Sequence, residues 1–441
     1  VGAALGAGAP RSRPGRDRLQ RRTRVGAFLG PAMLFIVLGL IVPLARTLYL
    51  SLYDSRGEEL VGLANYGEIL TNQQSLDLTG WTDIFTSRLF VGGIVLAGIG
   101  ALVGVLLGRR RGRVLQAAAG SVVPLGLGAF LLVFAVFASL RGTIVNNLWW
   151  IVVVTFVSTS LGLAAAVLAD RARFESLAKV LVFLPMAISF VGAGIIWRFM
   201  YIARPPQKDQ TGLLNAVWVG LGKLVPGTVG QAVAVVLLAM LTAGLAGLCL
   251  FGVRRRRTAL AVGAALSALP VLWLAYRFIG PGLGGAGVDA LGEPIGQPVL
   301  FVQEGPFNNV WLMVVLVWIQ TGFAMVILSA AIKAVPGELI EAARVDGADD
   351  RQVFFRVTLP TIVPTIIVIV TSLIVLVTKV FDIVRVMTNG NFGTQVIANE
   401  MWQRTFTESN LGLGSALAAV LFIAVVPAMA FNVSRLQRSA R

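Results

Sequence analysis

Ten stretches of mostly apolar residues, each at or near the length of a bilayer crossing, set the limits on how this chain can fold. A helix rises about 1.5 Å per residue, so about 20 apolar residues are needed to cross a hydrocarbon core roughly 30 Å thick. The stretches lie near 27–49, 90–108, 115–140, 147–169, 179–201, 231–252, 258–279, 309–331, 361–380 and 413–434. Composition leaves little room for a soluble alternative, because 56% hydrophobic and 13% charged residues cannot furnish the polar surface of a 441-residue globule. The expected class is therefore all-α, a polytopic membrane helix bundle of about ten spans.

The net charge of +16 raises the question of nucleic acid, and the distribution of the charge answers it. The first span follows a basic tail, 1–26, carrying Arg11, Arg13, Arg16, Arg18, Arg21, Arg22 and Arg24. With no small-residue cleavage site it reads as an uncleaved anchor whose tail stays in the cytoplasm. Alternating from there, Arg109 to Arg111 with Arg113, then Arg171, Arg173 and Lys179, then Arg254 to Arg257, all fall on the same side. Lys333, Arg344, Arg351 and Arg356 follow, and the tail 435–441 adds Arg435, Arg438 and Arg441. Basic residues gathered on one face are the positive-inside pattern, which places both termini in the cytoplasm and removes the reason to invoke nucleic acid as a partner. The Arg254 to Arg257 block reads as stop-transfer or headgroup charge in the lipid bilayer.

Two pairs of stretches read as inserted hairpins, 86–141 hinged at Arg109 to Arg113 and 229–280 hinged at Arg254 to Arg257. A hairpin crosses twice, so its removal leaves the orientation of everything downstream unchanged. Without them six spans remain, in core segments 27–49, 147–201 and 309–434 of a transmembrane domain covering 27–434. The hairpins are almost free of charge within their apolar stretches and read as lipid-facing or packing elements.

Several chemistries have nothing to stand on. The chain has no His and a single Cys, Cys249, set in an apolar stretch and read as packing, so neither a disulfide framework nor a metal site is expected. The nearest string to a phosphate loop, Gly220-Leu221-Gly222-Lys223, lacks the spacing and the hydroxyl residue of GxxxxGK[ST], so the chain does not hydrolyse ATP alone. No intramembrane acids cluster into a proton relay.

The segment 333–360 is too polar to remain in hydrocarbon, and it carries helix punctuation. Pro336 suits a helix start, Glu338 and Glu341 favour an N-terminal half, and Gly347 terminates. Asp349 and Asp350 then cap a second short helix through Arg356, before Pro360 opens the next span. Ala343 and Gly347, four apart, leave a patch with almost no side chain, and Val353, Phe354 and Val357 are expected as apolar knobs beside it. Such a segment either docks into another protein or lies on the headgroups, and periodicity does not decide between them.

The residues Glu341-Ala342-Ala343, three positions, Gly347, nine positions, Val357, one position, then Leu359-Pro360 match at every fixed position the EAA signature of ABC importer permeases. The chain thus resembles the permease subunit of a binding-protein-dependent ABC importer. Asn146-Asn147, Leu161-Gly162-Leu163, Leu168-Ala169-Asp170-Arg171, Phe183-Leu184-Pro185 and Trp197 resemble core spans of sugar-type permeases. Trp318 to Phe323, Phe381-Asp382 and, more faintly, Val61 to Tyr66 extend the likeness. Thr388 to Thr394 looks closer to the segment of permeases for alpha-glucosides, so the overall resemblance is to the maltose and alpha-glucoside type. The resemblance covers about 147–201 and 309–434 and leaves both hairpins out.

It implies that 333–360 is a coupling loop seated in a groove of a cytosolic ATPase, with Glu341, Ala342, Ala343, Asp346, Gly347, Val353, Phe354, Leu359 and Pro360 as its site residues. It also implies a bacterial cytoplasmic membrane, a second permease subunit, two copies of the ATPase and an extracytoplasmic sugar-binding protein. ATP and Mg would belong to the ATPase, and this chain would carry no cofactor. For a sugar pathway the candidates are Trp197, Trp318, Gln320, Thr321, Asp382 and Asn389, since sugars favour flat aromatic faces and neutral donors and acceptors. The tryptophans read more readily as interface-belt or packing residues. The rival expectations are a secondary transporter and a structural membrane subunit, neither of which needs an ATPase.

Overall fold

A computed structural model describes residues 28–111, 114–170, 173–223, 228–254, 287–288, 294–295, 298–305 and 307–439. The basic tail 1–26 and the span expected over 258–279 lie outside the described residues. The chain is mostly helical: α1 Phe28–Leu50, α2 Ala64–Thr71, α3 Trp81–Thr86, α4 Arg88–Arg111, α5 Val114–Ser139 and α6 Thr143–Ala169 come first. They are followed by α7 Glu175–Phe183, α8 Phe190–Tyr201, α9 Leu213–Lys223, α10 Thr228–Arg254, α11 Asn308–Lys333 and α12 Gly337–Val345. The last are α13 Asp350–Thr378, α14 Asp382–Met387, α15 Ile397–Trp402 and α16 Leu411–Ser439. The strands are two residues each, β1 Gly287–Val288 antiparallel to β2 Pro294–Ile295.

Five described helices are long and apolar enough to cross a bilayer, Phe28–Leu50, Thr143–Ala169, Asn308–Lys333, Asp350–Thr378 and Leu411–Phe431. A sixth crossing requires α7 and α8 together, and these are bent by 99°. The single straight span expected over 179–201 is therefore corrected to a broken one. Pro185 removes a backbone donor in the 3₁₀ turn Leu184–Ala187, and Ser189 starts α8 afresh, its hydroxyl accepting from the Gly192 N–H at 3.0 Å.

The chain divides into two compact units, one of Val1–Ile69 with Met401–Val420 and one of Leu70–Glu400 with Leu421–Arg441. In the first, Asn65 is the organising residue. Its amide donates to the Ser51 and Tyr53 carbonyls at 2.8 and 2.7 Å, and the Ser55 carbonyl accepts from the Leu411 N–H at 2.8 Å. These bonds satisfy chain leaving α1 that has no ladder of its own.

The second unit holds the main core. Buried Trp150 and Val154 of α6 meet Leu312, Leu316 and Ile319 of α11 and Ile383 of α14. Toward the other end of the same helices, Ala166, Met325, Leu328, Val335, Ile369 and Leu373 form a second buried cluster. Between the clusters α6 and α11 cross closely at Gly162, where a Cβ would lie 2.5 Å from the Ala324 Cβ. Helices in lipid gain no hydrophobic driving force from one another, so small residues at such crossings supply the packing.

Helices α4 and α5 pack on each other as a hairpin. At its base, Asp77 and Arg141 form a backbone bridge. The hairpin is not confined to lipid-facing contacts, since Phe134 of α5 lies 5.4 Å from the Phe307 ring and Phe137 lies 5.0 Å from Trp149.

Candidate functional site

Three sites on the second unit bear on function. The first is the segment between α11 and α13. Helix α12 stops as the sequence predicts: Gly347 sits at φ +81°, and the Ala348 N–H returns to the Ala343 carbonyl at 3.0 Å. Asp349 caps the next helix with a full capping box, accepting from the Gln352 N–H at 2.7 Å while its own N–H donates to the Gln352 side chain at 2.9 Å.

From there the structure departs from expectation. The second short helix is not separate but continues through a π turn, Phe354–Thr358, into the long helix α13. Pro360 is accommodated because it falls in the first turn of the α-helical stretch that begins at Leu359.

Glu341, Ala342, Asp346, Gly347 and Pro360 are exposed, Ala343 and Leu359 half-buried. Glu341 makes no hydrogen bond or ion pair among the described residues. The expected knobs need correction. Val353 is buried and Phe354 half-buried, since both turn toward the body of the unit, and the exposed apolar side chains are Leu339, Val345 and Phe355.

Beside this segment stands a charged joint that sequence reading dispersed into unrelated loop charges. Lys179 Nζ lies 2.5 Å from Asp170 and 2.6 Å from Glu175, and Lys333 at the end of α11 also pairs with Glu175. Ser329 closes the ring, accepting from Lys179 at 2.5 Å and donating to Asp170 at 2.8 Å. The joint ties the end of α6, the start of α7 and the end of α11 just before α12. The only signal in the sequence was the i, i+4 spacing of Glu175 and Lys179.

The second site is a cavity of about 530 Å³ between the α7–α8 break, α11 and α13. Its walls are mainly apolar, and its polar groups are Ser189, Gln320, Ser372 and Asp382. Gln320 is 4% exposed and its amide has no hydrogen-bond partner among the described residues. A buried amide without a partner, set on a cavity wall, is placed to bond whatever enters. A neighbouring recess of about 320 Å³ shares Ser372 and Asp382 and adds Lys379.

The remaining pathway candidates are not brought to this cavity. Trp197 and Trp318 pack edge to face at 5.7 Å against the main core, and the Thr321 hydroxyl donates to its own helix at the Val317 carbonyl, 2.7 Å away.

The third site is a recess of about 490 Å³ lined by Arg198, Tyr201, Arg385, Asn389, Asn391 and Phe392 among others. Asn389 belongs here, accepting from the Arg385 guanidinium. The loop forming one wall is held by paired asparagines opening α6 and α11. Asn146 donates to the Gly393 and Gln395 carbonyls at 2.8 and 2.9 Å, Asn147 to the Thr378 carbonyl at 3.0 Å, and Asn308 to the Phe392 carbonyl at 2.6 Å. Asn309 adds a bond to the Gly393 carbonyl at 3.2 Å. Sequence reading noted the first pair and missed the second, although the same Asn-Asn dipeptide opens both helices.

Comparison with known proteins adds the following. The family described as binding-protein-dependent transport system inner membrane component matches residues 235–439. The osmoprotective compounds uptake permease protein GgtC of Synechocystis is 33% identical over 408 residues, covering 92% of this chain and 97% of its own length. The alpha-glucoside transport system permease protein AglF of Rhizobium meliloti is 32% identical over 424 residues, covering 96% and 85% respectively. A chain from the crystal structure of a bacterial ABC transporter involved in import of the acidic polysaccharide alginate aligns with a TM-score of 0.46 at 15% identity, over 95% of this chain and 98% of that one.

Proposed function

The chain belongs to the family of binding-protein-dependent ABC importer permeases, multi-pass inner membrane components, and from that premise we propose that it imports a neutral sugar or small oligosaccharide of the alpha-glucoside kind. It does so as one half of a pathway completed by a second permease subunit. Two copies of a cytosolic ATPase engage the segment 333–360, and an extracytoplasmic sugar-binding protein delivers substrate to the opposite face. Both termini and the Lys179 joint lie on the cytoplasmic side. The two hairpins add four spans to a six-span core.

The observation that carries the reading is the EAA segment itself, folded as an exposed helix ending in a left-handed Gly347 and mounted on two helices that line one cavity. Chemical energy reaches the chain as motion of that segment, since it has no phosphate loop. The cavity supports a neutral polyhydroxylated substrate. Gln320 offers both a donor and an acceptor, Ser189 and Ser372 lie close by, and Phe190 and Phe323 give apolar faces for a sugar ring. Asp382 accepts hydroxyl protons at the rim.

Affinity purification of the tagged chain from mild detergent tests this reading, with wild type compared to Glu341→Ala. Recovery of an ATPase and a second permease with wild type, and loss of the ATPase alone with the variant, is the expected result. Recovery of the chain alone, under conditions that preserve other membrane complexes, refutes it in favour of a carrier or structural subunit.

A further inference from the structure

We propose that the hydroxyls of Thr155, Ser158 and Thr159 on α6 form a hidden wall of the sugar path, shut off from the Gln320 cavity in this conformation and opened to it in the opposite one. This rests on the importer reading and deepens it, because it assigns part of the path to a stretch of α6 that is closed to solvent here. All three side chains are more than nine-tenths buried, and none of their hydroxyls has a hydrogen-bond partner among the described residues. Helical hydroxyls elsewhere in the same bundle are not left so. Those of Thr321, Ser372 and Thr378 each donate to the carbonyl four residues back, at 2.7, 2.8 and 2.7 Å. That bond is open to any serine or threonine in a helix. Its absence at three positions within about one turn of α6 marks side chains turned away from their own backbone. Buried polar groups in folded proteins are almost always bonded, and a group that is not calls for a reason.

The position of the row supplies the reason. Ile319 and Leu373 form part of the wall of the cavity of about 530 Å³. They also belong to the two buried clusters that α6 joins on either side of the row, Ile319 with Val154 and Leu373 with Ala166. The row therefore stands behind the cavity wall. It lies level with Gln320, since α6 shares a cluster with Ile319 before the row and meets Ala324 at Gly162 after it.

Helix α13 runs beside the row, from Ile369 in one cluster to Val377 in the other. Its last turn is tied to α6, where Asn147 donates to the Thr378 carbonyl at 3.0 Å, while its start is the exposed cap at Asp349. A displacement applied at that start swings the length of α13 about the Asn147 tie and parts it from α6. Hydroxyls that are dry in one position are then wet in the other, and they offer donors and acceptors to a polyhydroxylated solute. An apolar face on α6 would suit the closed state better but would give such a solute nothing to bond.

The test exploits the lone Cys249. Cys249→Ala leaves the chain without a thiol, and Thr155→Cys, Ser158→Cys or, as a control, Phe156→Cys is then added. Phe156 is 71% exposed and lies on the other side of the helix. The complete importer in lipid nanodiscs, with its binding protein, is treated with a water-soluble cationic thiosulfonate at rest and after trapping with ATP and vanadate. Labelling of this chain is read by mass spectrometry. The thiols at 155 and 158 are expected to react about tenfold faster in one state than in the other, and the thiol at 156 slowly in both. Rates at both row positions within threefold between the two states would overturn the proposal, as for a seam that only eases sliding and stays dry throughout. A second arm replaces the row by Thr155→Val, Ser158→Ala and Thr159→Val together. The unfolding temperature in detergent should be unchanged or raised, while uptake of radiolabelled maltose by intact cells falls about tenfold. Uptake within threefold of wild type would equally overturn the proposal, because the hydroxyls would then have no part in the path. Failure to recover an ATPase with the chain at the outset would instead remove the importer reading itself.

Discussion

Replacing Gly347 by asparagine, alanine and arginine separates two reasons why a glycine stands at the end of the coupling helix. One is backbone: φ is +81°, and an L side chain in the left-handed region costs about 1–2 kcal/mol, less for Asn. The other is contact, because in the proposed docking an added side chain would stand between the loop and the ATPase. Within the chain the contact term vanishes, since a Cβ at Gly347 meets nothing within 4 Å. If docking needs the left-handed turn, about 1–2 kcal/mol of strain lowers ATPase affinity roughly 5- to 30-fold. Alanine should show that loss, asparagine a smaller one, and arginine a larger one because it adds bulk to strain. The assay is titration of the purified ATPase onto the permease in nanodiscs, with sugar uptake by intact cells measured in parallel. Affinity of Gly347→Ala within twofold of wild type would refute the backbone argument. A larger loss in the asparagine than in the alanine variant would show that side-chain size, not backbone angle, decides.

Substitutions at three other positions probe the frame and the cavity. Gly162→Ala puts a methyl group 2.5 Å from the Ala324 Cβ and should destabilise the chain by about 1–3 kcal/mol, read as a lower unfolding temperature in detergent. Lys179→Met should cost about 2 kcal/mol, less than the 3–5 of a fully buried pair because the side chain stays 21% exposed, whereas Lys179→Arg should keep most of the stability. Gln320→Leu should leave thermal stability unchanged or raised, because its amide has no partner among the described residues, while the half-saturation for sugar uptake rises about tenfold. Lost stability with unaltered uptake would make Gln320 a structural residue.

What the sequence disclosed and what it hid follow from the range of the interactions concerned. Five of the long apolar stretches and the Gly347 stop are local matters of side-chain solvation and backbone angle, and these are found where spacing puts them. The break at Ser189 was written in Pro185 and Ser189 but was overridden in reading by the apolar run around it. Trp197 and Trp318, for which packing is the more ready reading, mark another limit. Aromatic residues near a sugar path suggest stacking, yet whether a ring faces a cavity or a neighbouring helix depends on helix rotation, which composition does not encode. Asp170 and Lys179 belong to different helices, and their pairing through Ser329 needs three chain segments to meet. Gln320 and Asp382 do share a cavity, an adjacency that their separation of 62 positions left invisible in the sequence.

The continuity of α13 changes how force can travel. Two separate short helices would have required a hinge at Pro360 to pass motion from the loop to the span. Instead the capped start at Asp349 and the end at Thr378 belong to one helix of 29 residues, about 43 Å long at 1.5 Å per residue. Ser372, Leu373 and Leu376, near its far end, line the same cavity as Gln320. Displacement of the exposed first turn therefore tilts a rod whose other end forms the cavity wall, and no chain of side-chain rearrangements is needed. The compliant point on that rod is the π turn Phe354–Thr358, where the regular i to i−4 ladder is interrupted. The neighbouring rod, α11, is held differently. Its Gln320 faces the cavity while Ser329 and Lys333 are tied to α6 and α7 by the charged joint. On the proposed reading, pulling on the segment 333–360 would move α13 against a braced α11, and the cavity lying between them is the space that such a motion would open or close.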